Sequence, residues 1–178
     1  PSIDVVVQSP VSDGVRVRQL EGMFDVPSAK IEKIRWRGDV PIEDREWSVG
    51  LIVGPSGSGK SSVTRDLFGG LVDAPLKWSA LSVVEDFDSA LSMQDIASAC
   101  SAVGFNTIPA WRRPFHVLST GERFRVELAR RLVESQNMIV VDEFTSVVDR
   151  QVAKIGSHAV QKYARRGEKR FVAVTCHE

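Results

Sequence analysis

Apolar and polar positions change rhythm several times along the chain. Residues 1 to 47 alternate in short stretches, Val5 to Val7, Val15 to Leu20 and Ile31 to Arg35, broken by the turn-forming pairs Asp13-Gly14 and Gly38-Asp39. That two-residue period predicts an antiparallel strand region. From Val49 to Val53 the run is continuously apolar, the pattern of a strand buried on both faces. Lys60 to Phe68 then reads as a helix stopped by Gly69-Gly70. A polar middle follows, with a short helix from about Met93 to Val103 that Ser92 caps and Gly104 ends. Thr120 to Glu134 is the clearest amphipathic helix, with Leu128, Ala129, Leu132 and Val133 on one face, and Glu127 placed to pair with Arg131 one turn on. Met138 to Val141 and Phe171 to Thr175 are strand-sized apolar runs on either side of a long helix, Arg150 to Ala164.

Strands alternating with helices predict an α/β fold built on a parallel sheet. We expect one domain over residues 1-178. Residues 1-47 form its antiparallel β region, 48-75 and 136-178 its core, and 76-135 a small helical region. At 178 residues with 43% apolar content, the chain is of ordinary size and composition for such a unit. Lys plus Arg and Asp plus Glu number 23 each, so no overall field draws the chain to polyanions, and any such contact needs a local patch. Only Cys100 and Cys176 occur, which fits a reducing, cytoplasmic setting better than a disulfide scaffold. No run approaches the roughly 20 apolar residues of a membrane span, so direct membrane insertion is not expected. The chain opens at Pro1 without a methionine and stops at Glu178 directly after an apolar run, from which we expect processing or an imposed boundary.

The chemistry starts at Gly54-Pro-Ser-Gly-Ser-Gly59-Lys60-Ser61, a full match to the Walker A pattern, placed between a predicted strand and a predicted helix as that pattern requires. Backbone N–H groups from Gly54, Ser56, Gly57, Ser58 and Gly59 can turn inward as an anion nest, and the helix N-terminus at Ser61 and Ser62 adds its partial positive charge. Lys60 reaches terminal phosphates and Ser61 can ligate Mg2+, which makes a nucleotide with Mg2+ the expected ligand. Asp142 and Glu143 follow an apolar strand, at the edge where open parallel sheets bind ligands. One carboxylate can hold the metal through water, and the other can deprotonate an attacking water. An acidic pair there serves equally as a helix cap; the phosphate loop tips the reading toward chemistry.

Leu118-Ser119-Thr120-Gly121-Glu122 resembles the signature sequence of the ABC (ATP-binding cassette) ATPases, with Thr and Glu at its third and fifth positions where Gly and Gln are common. Asp142-Glu143, then Ser146-Val147-Val148-Asp149, then His177, follow in the order of that family's Walker B, D-loop and switch histidine. The resemblance implies a P-loop NTPase fold and an ATP-dependent head-to-tail homodimer. Lys60, Ser61, Asp142, Glu143 and His177 would come from one subunit, with Ser119 and Gly121 from its partner. It also implies that Glu143, His177 and Lys60 are catalytic, that Asp149 and Ser62 lie against nucleotide, and that an aromatic before Walker A, Phe24, stacks on adenine; Trp47 behind it is expected in the core. Only the 57 residues between Lys60 and Leu118 form the helical arm, shorter than in transporter ATPases. The family's Q-loop glutamine would fall near Val84 to Phe87, where Glu85 stands as the substitute metal ligand. Both departures argue against a transporter subunit. Met23 to Pro27 and Ser101 to Phe105 add likeness to stand-alone soluble ABC ATPases of bacteria and phages, some fused to an acetyltransferase-like domain that this chain does not contain.

Three roles stay open on sequence: an ATPase remodelling a nucleic acid or protein client, the ATP-binding subunit of a membrane transporter, and a non-hydrolysing nucleotide sensor. Arg112-Arg113, Arg123, Arg125, Arg130-Arg131 and Arg165-Arg166-Lys169-Arg170 offer basic patches to a nucleic acid, although such clusters also serve as solvated helix faces.

Overall fold

Strand β1 (Ser2–Pro10) pairs antiparallel with β2 (Ile31–Asp39), Ser2 lying opposite Asp39 and Pro10 opposite Ile31. This computed structural model describes residues 1–28, 31–167 and 169–176. The two strands and helix α1 (Val15–Phe24) belong to the first of two compact units, Pro1–Asp44 and Arg45–Glu178. An Arg35–Asp4 ion pair crosses the ribbon, and Ile3 is its buried apolar residue.

Helix α1 departs from expectation, because its Val-Arg-Val-Arg start has strand rhythm. Local hydrogen bonding decides the matter: the Gly14 carbonyl accepts from Val17 and Arg18 N–H at 3.0 and 3.1 Å. Asp25 turns left-handed (φ 52°) to close the helix, and Gln19, Leu20, Glu21 and Met23 are competent helix formers. No residue of α1 is buried, so packing within its unit does not override this choice.

In the second unit β3 (Val49–Val53), β5 (Arg170–Thr175) and β4 (Met138–Val141) form a parallel sheet in that spatial order. Its helices are α2 (Lys60–Phe68), α3 (Met93–Ala102), the single turn α4 (Ile108–Trp111), α5 (Thr120–Glu134) and α6 (Arg150–Arg166). The α/β class, the parallel sheet and the P-loop order of strand, loop and helix are as the sequence predicts. The core joins Val126, Leu128, Ala129 and Leu132 of α5 to Ile96, Ala99 and Cys100 of α3, Ala159 and Val160 of α6, and Phe171 of β5. Gly156 permits the close crossing of α5 and α6, since a Cβ there would lie 3.1 Å from the Phe124 ring and 3.2 Å from Leu128.

One strand is less buried than its composition predicts. Val49, Leu51 and Val53 are 48%, 63% and 40% exposed, because β3 lies at the sheet margin and hydrogen-bonds only to β5 among the described strands. A groove of about 1480 Å³ runs past Val49 and Leu51 to Phe144, Ile155 and His158. It reflects that bare sheet face, and no residue of the phosphate loop lines it.

The shortened arm is held by aromatic stacking. Trp78 and Phe115 lie face to face, with centroids 4.5 Å apart and planes 6° apart. The Arg130 guanidinium sits 4.7 Å from the Trp78 centroid and that of Arg123 5.9 Å from Phe115. Cations on both outer faces of a ring pair interact favourably with the rings' negative quadrupole faces. Trp47, expected in the core, is half-buried outside the core cluster, its ring 3.2 Å from a Cβ built on Gly50 and under the Arg170 guanidinium.

Candidate active site at the carboxyl edge of the sheet

Parallel pairing brings the carboxyl ends of β3, β5 and β4 to one edge, with Thr175 level with Val53, and Ala173 level with Val141. The phosphate loop leaves β3 and the acidic pair leaves β4, so β5 separates them. Two strand spacings, roughly 10 Å, then lie between the two chain exits, which leaves room for a phosphate chain and a hydrated cation.

The loop is shaped by glycine. Gly57 and Gly59 adopt φ of 77° and 85°, left-handed values strained for other residues. At Gly54 a Cβ would come within 2.9 Å of the Ser58 hydroxyl. Lys60 Nζ donates to the carbonyls of Gly54 (2.9 Å) and Pro55 (2.8 Å), which folds the ammonium across the loop and leaves its third donor free for an anion. Helix α2 begins at Gly59 with no side-chain cap and no acidic residue in its first turn. Its first N–H groups, around Ser61 and Ser62, therefore suit an external anion. Ser56 and Ser58 stand within the same loop, the Ser58 N–H bonded to the Pro55 carbonyl at 3.2 Å.

Across β5, the acidic turn is tightly specified. Phe144 is buried against Phe171 (5.3 Å, edge to face) and Phe124 (5.9 Å), and its N–H donates to the Val174 carbonyl at 2.9 Å. With Phe144 pinned inward, Glu143 is turned to solvent at φ 52°. The Glu143 N–H donates to Asp142 Oδ1 at 2.9 Å. Thr145, at φ 68°, is the most strained residue of the turn, since β-branched side chains rarely tolerate the left-handed region.

Sequence reasoning missed Asp73. The chain before it makes an isolated parallel bridge, Val72 with Val140, and Asp73 Oδ1 accepts the Asp142 N–H at 3.1 Å. Burial raises the Asp73 carboxyl above its ordinary range, the Asp142 N–H opposing that rise. Glu85, the expected stand-in for the Q-loop residue, is exposed in a 3-10 turn (Val83–Asp86), and no described hydrogen bond joins it to Ser61 or Asp142. Ser61 and Asp142 offer only hard oxygen donors, and among the described residues no three His, Cys, Asp or Glu side chains converge as a metal cage. That donor set fits Mg2+, which keeps several waters and leans on phosphate oxygens.

The signature segment folds as the capping box predicted: the Ser119 N–H donates to Glu122 Oε2 at 2.8 Å, and the Glu122 N–H to Ser119 Oγ at 3.3 Å. The N–H groups of Thr120 and Gly121 are left for an outside acceptor. Arg123 pins the approach through hydrogen bonds to the carbonyls of Leu118 (2.9 Å) and His116 (2.6 Å). Glu122 replaces the family's usual glutamine without leaving an uncompensated charge, because Ser119 binds its carboxylate and Arg113 and Arg125 lie near. The Ser119 N–H, then its hydroxyl, hold this carboxyl below the usual range. The cap is therefore fully formed above the unfolded-state value and is lost as pH falls through the lower folded value. Protection of the Ser119 amide against exchange is expected to fall across that acid window, and Glu122→Gln to abolish this pH dependence. Asp149 caps α6, its Oδ1 accepting from Gln151 (2.8 Å) and Val152 (3.0 Å) N–H.

Phe24 and His177 complete the expected set. Phe24 ends α1 in the first unit with its ring 69% exposed. His177 lies outside the described residues.

No protein-family model matches the chain. It is 28% identical over 154 residues to the hemin import ATP-binding protein HmuV of Rhodococcus jostii, an alignment covering 62% of this chain and 51% of that protein. It is 39% identical over 57 residues to the ABC multidrug transporter atrC of Emericella nidulans, covering 32% of this chain and 4% of that one. The chain thus spans about half the length of the first relative and a small part of the second. Among solved structures, a Pyrococcus furiosus protein described as an ABC transporter ATP-binding protein matches with TM-score 0.59 and 15% identity, over 73% of this chain and 78% of its own. A bacterial Atm1-family ABC exporter with ATP bound matches at TM-score 0.56 and 19% identity, over 73% of this chain and 30% of its own. At those identities the structures speak for the fold alone. Among the described residues no helix is long and apolar enough to cross a membrane. In sequence the chain is thus similar to the ATP-binding protein HmuV, and its fold is that of the ABC-type ATP-binding proteins.

Proposed function

We propose that this chain is the engine of a soluble, cytoplasmic ABC-type ATPase that hydrolyses Mg-ATP between two head-to-tail copies and thereby remodels or regulates a client. The observation that carries the reading is the shared edge: an uncapped helix start with Lys60 on one side of β5 and an outward-turned Glu143 on the other. In this reading the loop from Gly54 to Ser62 wraps the phosphates, and Lys60 neutralises the terminal ones. Glu143 orients the attacking water and takes its proton. Ser61 and Asp142 would hold Mg2+, whose positive charge would offset the negative charge on the phosphoryl oxygens. The N-terminus of α5, with the free N–H groups of Thr120 and Gly121, would face the terminal phosphate bound to the partner copy. Asp149, His177 and an adenine-stacking Phe24 keep the roles the resemblance implies. Phosphate release under saturating Mg-ATP tests the reading, and release no faster than without protein would exclude hydrolysis.

A specific observation favours a nucleic acid as client. Between α3 and the end of α6 a groove of about 570 Å³ is lined by Lys162, Arg166 and Lys169, with Ser98 and Ser101 of α3. Among the described residues neither Lys162 nor Arg166 is in an ion pair. Binding of a labelled DNA duplex is expected to weaken with salt, and Lys162→Ala with Arg166→Ala to flatten the log-log salt slope by about 0.9 per lost phosphate contact. A slope unchanged in the double variant would remove this groove from consideration.

A further inference from the structure

We infer that Asp73 is a positioning residue for the hydrolytic carboxylate, bracing the backbone from which Glu143 is aimed. The inference rests on the hydrolytic reading of Glu143 above.

Asp73 is tied to the acidic strand at three levels. Val72 forms a bridge with Val140, the Asp73 N–H donates to the Val140 carbonyl at 3.1 Å, and Asp73 Oδ1 accepts the Asp142 N–H at 3.1 Å. Beyond Asp73, Arg131 Nη1 donates to the Ala74 carbonyl at 3.0 Å, and Arg131 Nη2 pairs with Glu127 at 2.8 Å. The brace is thus anchored in turn to α5, the helix whose start carries the signature segment. The acidic turn needs such support. β4 ends at Val141, so the sheet supplies no ladder partner for the Asp142 N–H, and Glu143 and Thr145 then follow in left-handed conformations. Residues held in such sparsely populated regions keep them only when surrounding contacts over-determine the backbone. Asp73 is itself left-handed (φ 45°), a conformation that aspartate tolerates better than most residues, and this directs its carboxylate back onto the strand end. Removing the acceptor leaves the Asp142 N–H to water and frees the peptide that sets the Glu143 direction. The phosphate loop, on the far side of β5, is not touched.

Asp73→Ala and Asp73→Asn separate this role from a general loss of fold, since asparagine keeps an oxygen acceptor without the charge. Alanine is expected to lower kcat for ATP roughly tenfold or more, because small misplacements of a reacting group cost that much, while KM for ATP stays within twofold. Asparagine is expected to keep at least half of the parental kcat. Alanine turnover within twofold of the parent, or asparagine falling as far as alanine, would overturn the proposal. Should the alanine variant fail to fold, the asparagine arm decides alone on the same threshold. Amide hydrogen exchange at Asp142 gives a readout independent of turnover, expected slow in the parent and in Asp73→Asn and fast in Asp73→Ala. A parent that hydrolyses no ATP would refute the functional reading, and exchange at Asp142 equal in all three proteins would refute the brace.

Discussion

Replacing Glu143 with glutamine is expected to leave ATP binding intact, lower turnover by a factor of roughly 10² to 10⁴, and accumulate an ATP-bound dimer. Glutamine matches glutamate in size and keeps an oxygen near the attacking water, but it cannot take up a proton, and proton removal by a positioned base contributes about that factor. The backbone would not change, because the turn is set by buried Phe144 and by the hydrogen bond of Glu143 N–H to Asp142, neither of which involves the Glu143 side chain. Single-turnover phosphate release with sizing chromatography, with and without ATP, checks both halves of the expectation. A variant that stays monomeric at saturating ATP would dismantle the two-copy site, and one that turns over ATP at the parental rate would remove Glu143 as the base.

Lys60→Ala is expected to weaken ATP affinity by about tenfold to a hundredfold, the equivalent of one charge-assisted hydrogen bond at ~1.5–3 kcal/mol. Thermal stability should change little. Among the described residues the ammonium bonds only to the carbonyls of its own loop, and the buried Thr64 hydroxyl one turn on keeps its bond to the Lys60 carbonyl, which alanine retains. Calorimetric titration with a slowly hydrolysed ATP analogue measures the first effect and a melting curve the second. Unchanged affinity would move the phosphates away from this loop.

Much of this edge was legible in sequence because its parts are local. Gly54 to Ser61 is a contiguous string whose Gly57 and Gly59 sit where φ turns positive, and Ser119 and Glu122 lie one helical turn apart, so each motif carries its own geometry. The bounds of α2 and α5 follow from the same local signals, Gly-Gly in one case and a capping box in the other. What escaped was long-range. Asp73 meets Asp142 across 69 residues of chain, through a strand reduced to the single bridge of Val72, too short to leave any periodicity. The Trp78–Phe115 stack, likewise, is fixed by arginines from another helix. Exposure was misjudged at β3, because a continuous apolar run reads the same whether a strand lies inside a sheet or at its margin. Alternating Val and Arg misled the reading of α1, where local hydrogen bonds outweighed the strand rhythm.

The bare face of β3 bears on how oligomers of this chain should be interpreted. A margin strand with three half-open aliphatic side chains, paired on one side only among the described strands, is adhesive toward any similar edge, nucleotide or not. Pairs of molecules formed that way would persist in Lys60→Ala and strengthen with kosmotropic salt, whereas copies clasped around triphosphate would separate once the nucleotide is removed.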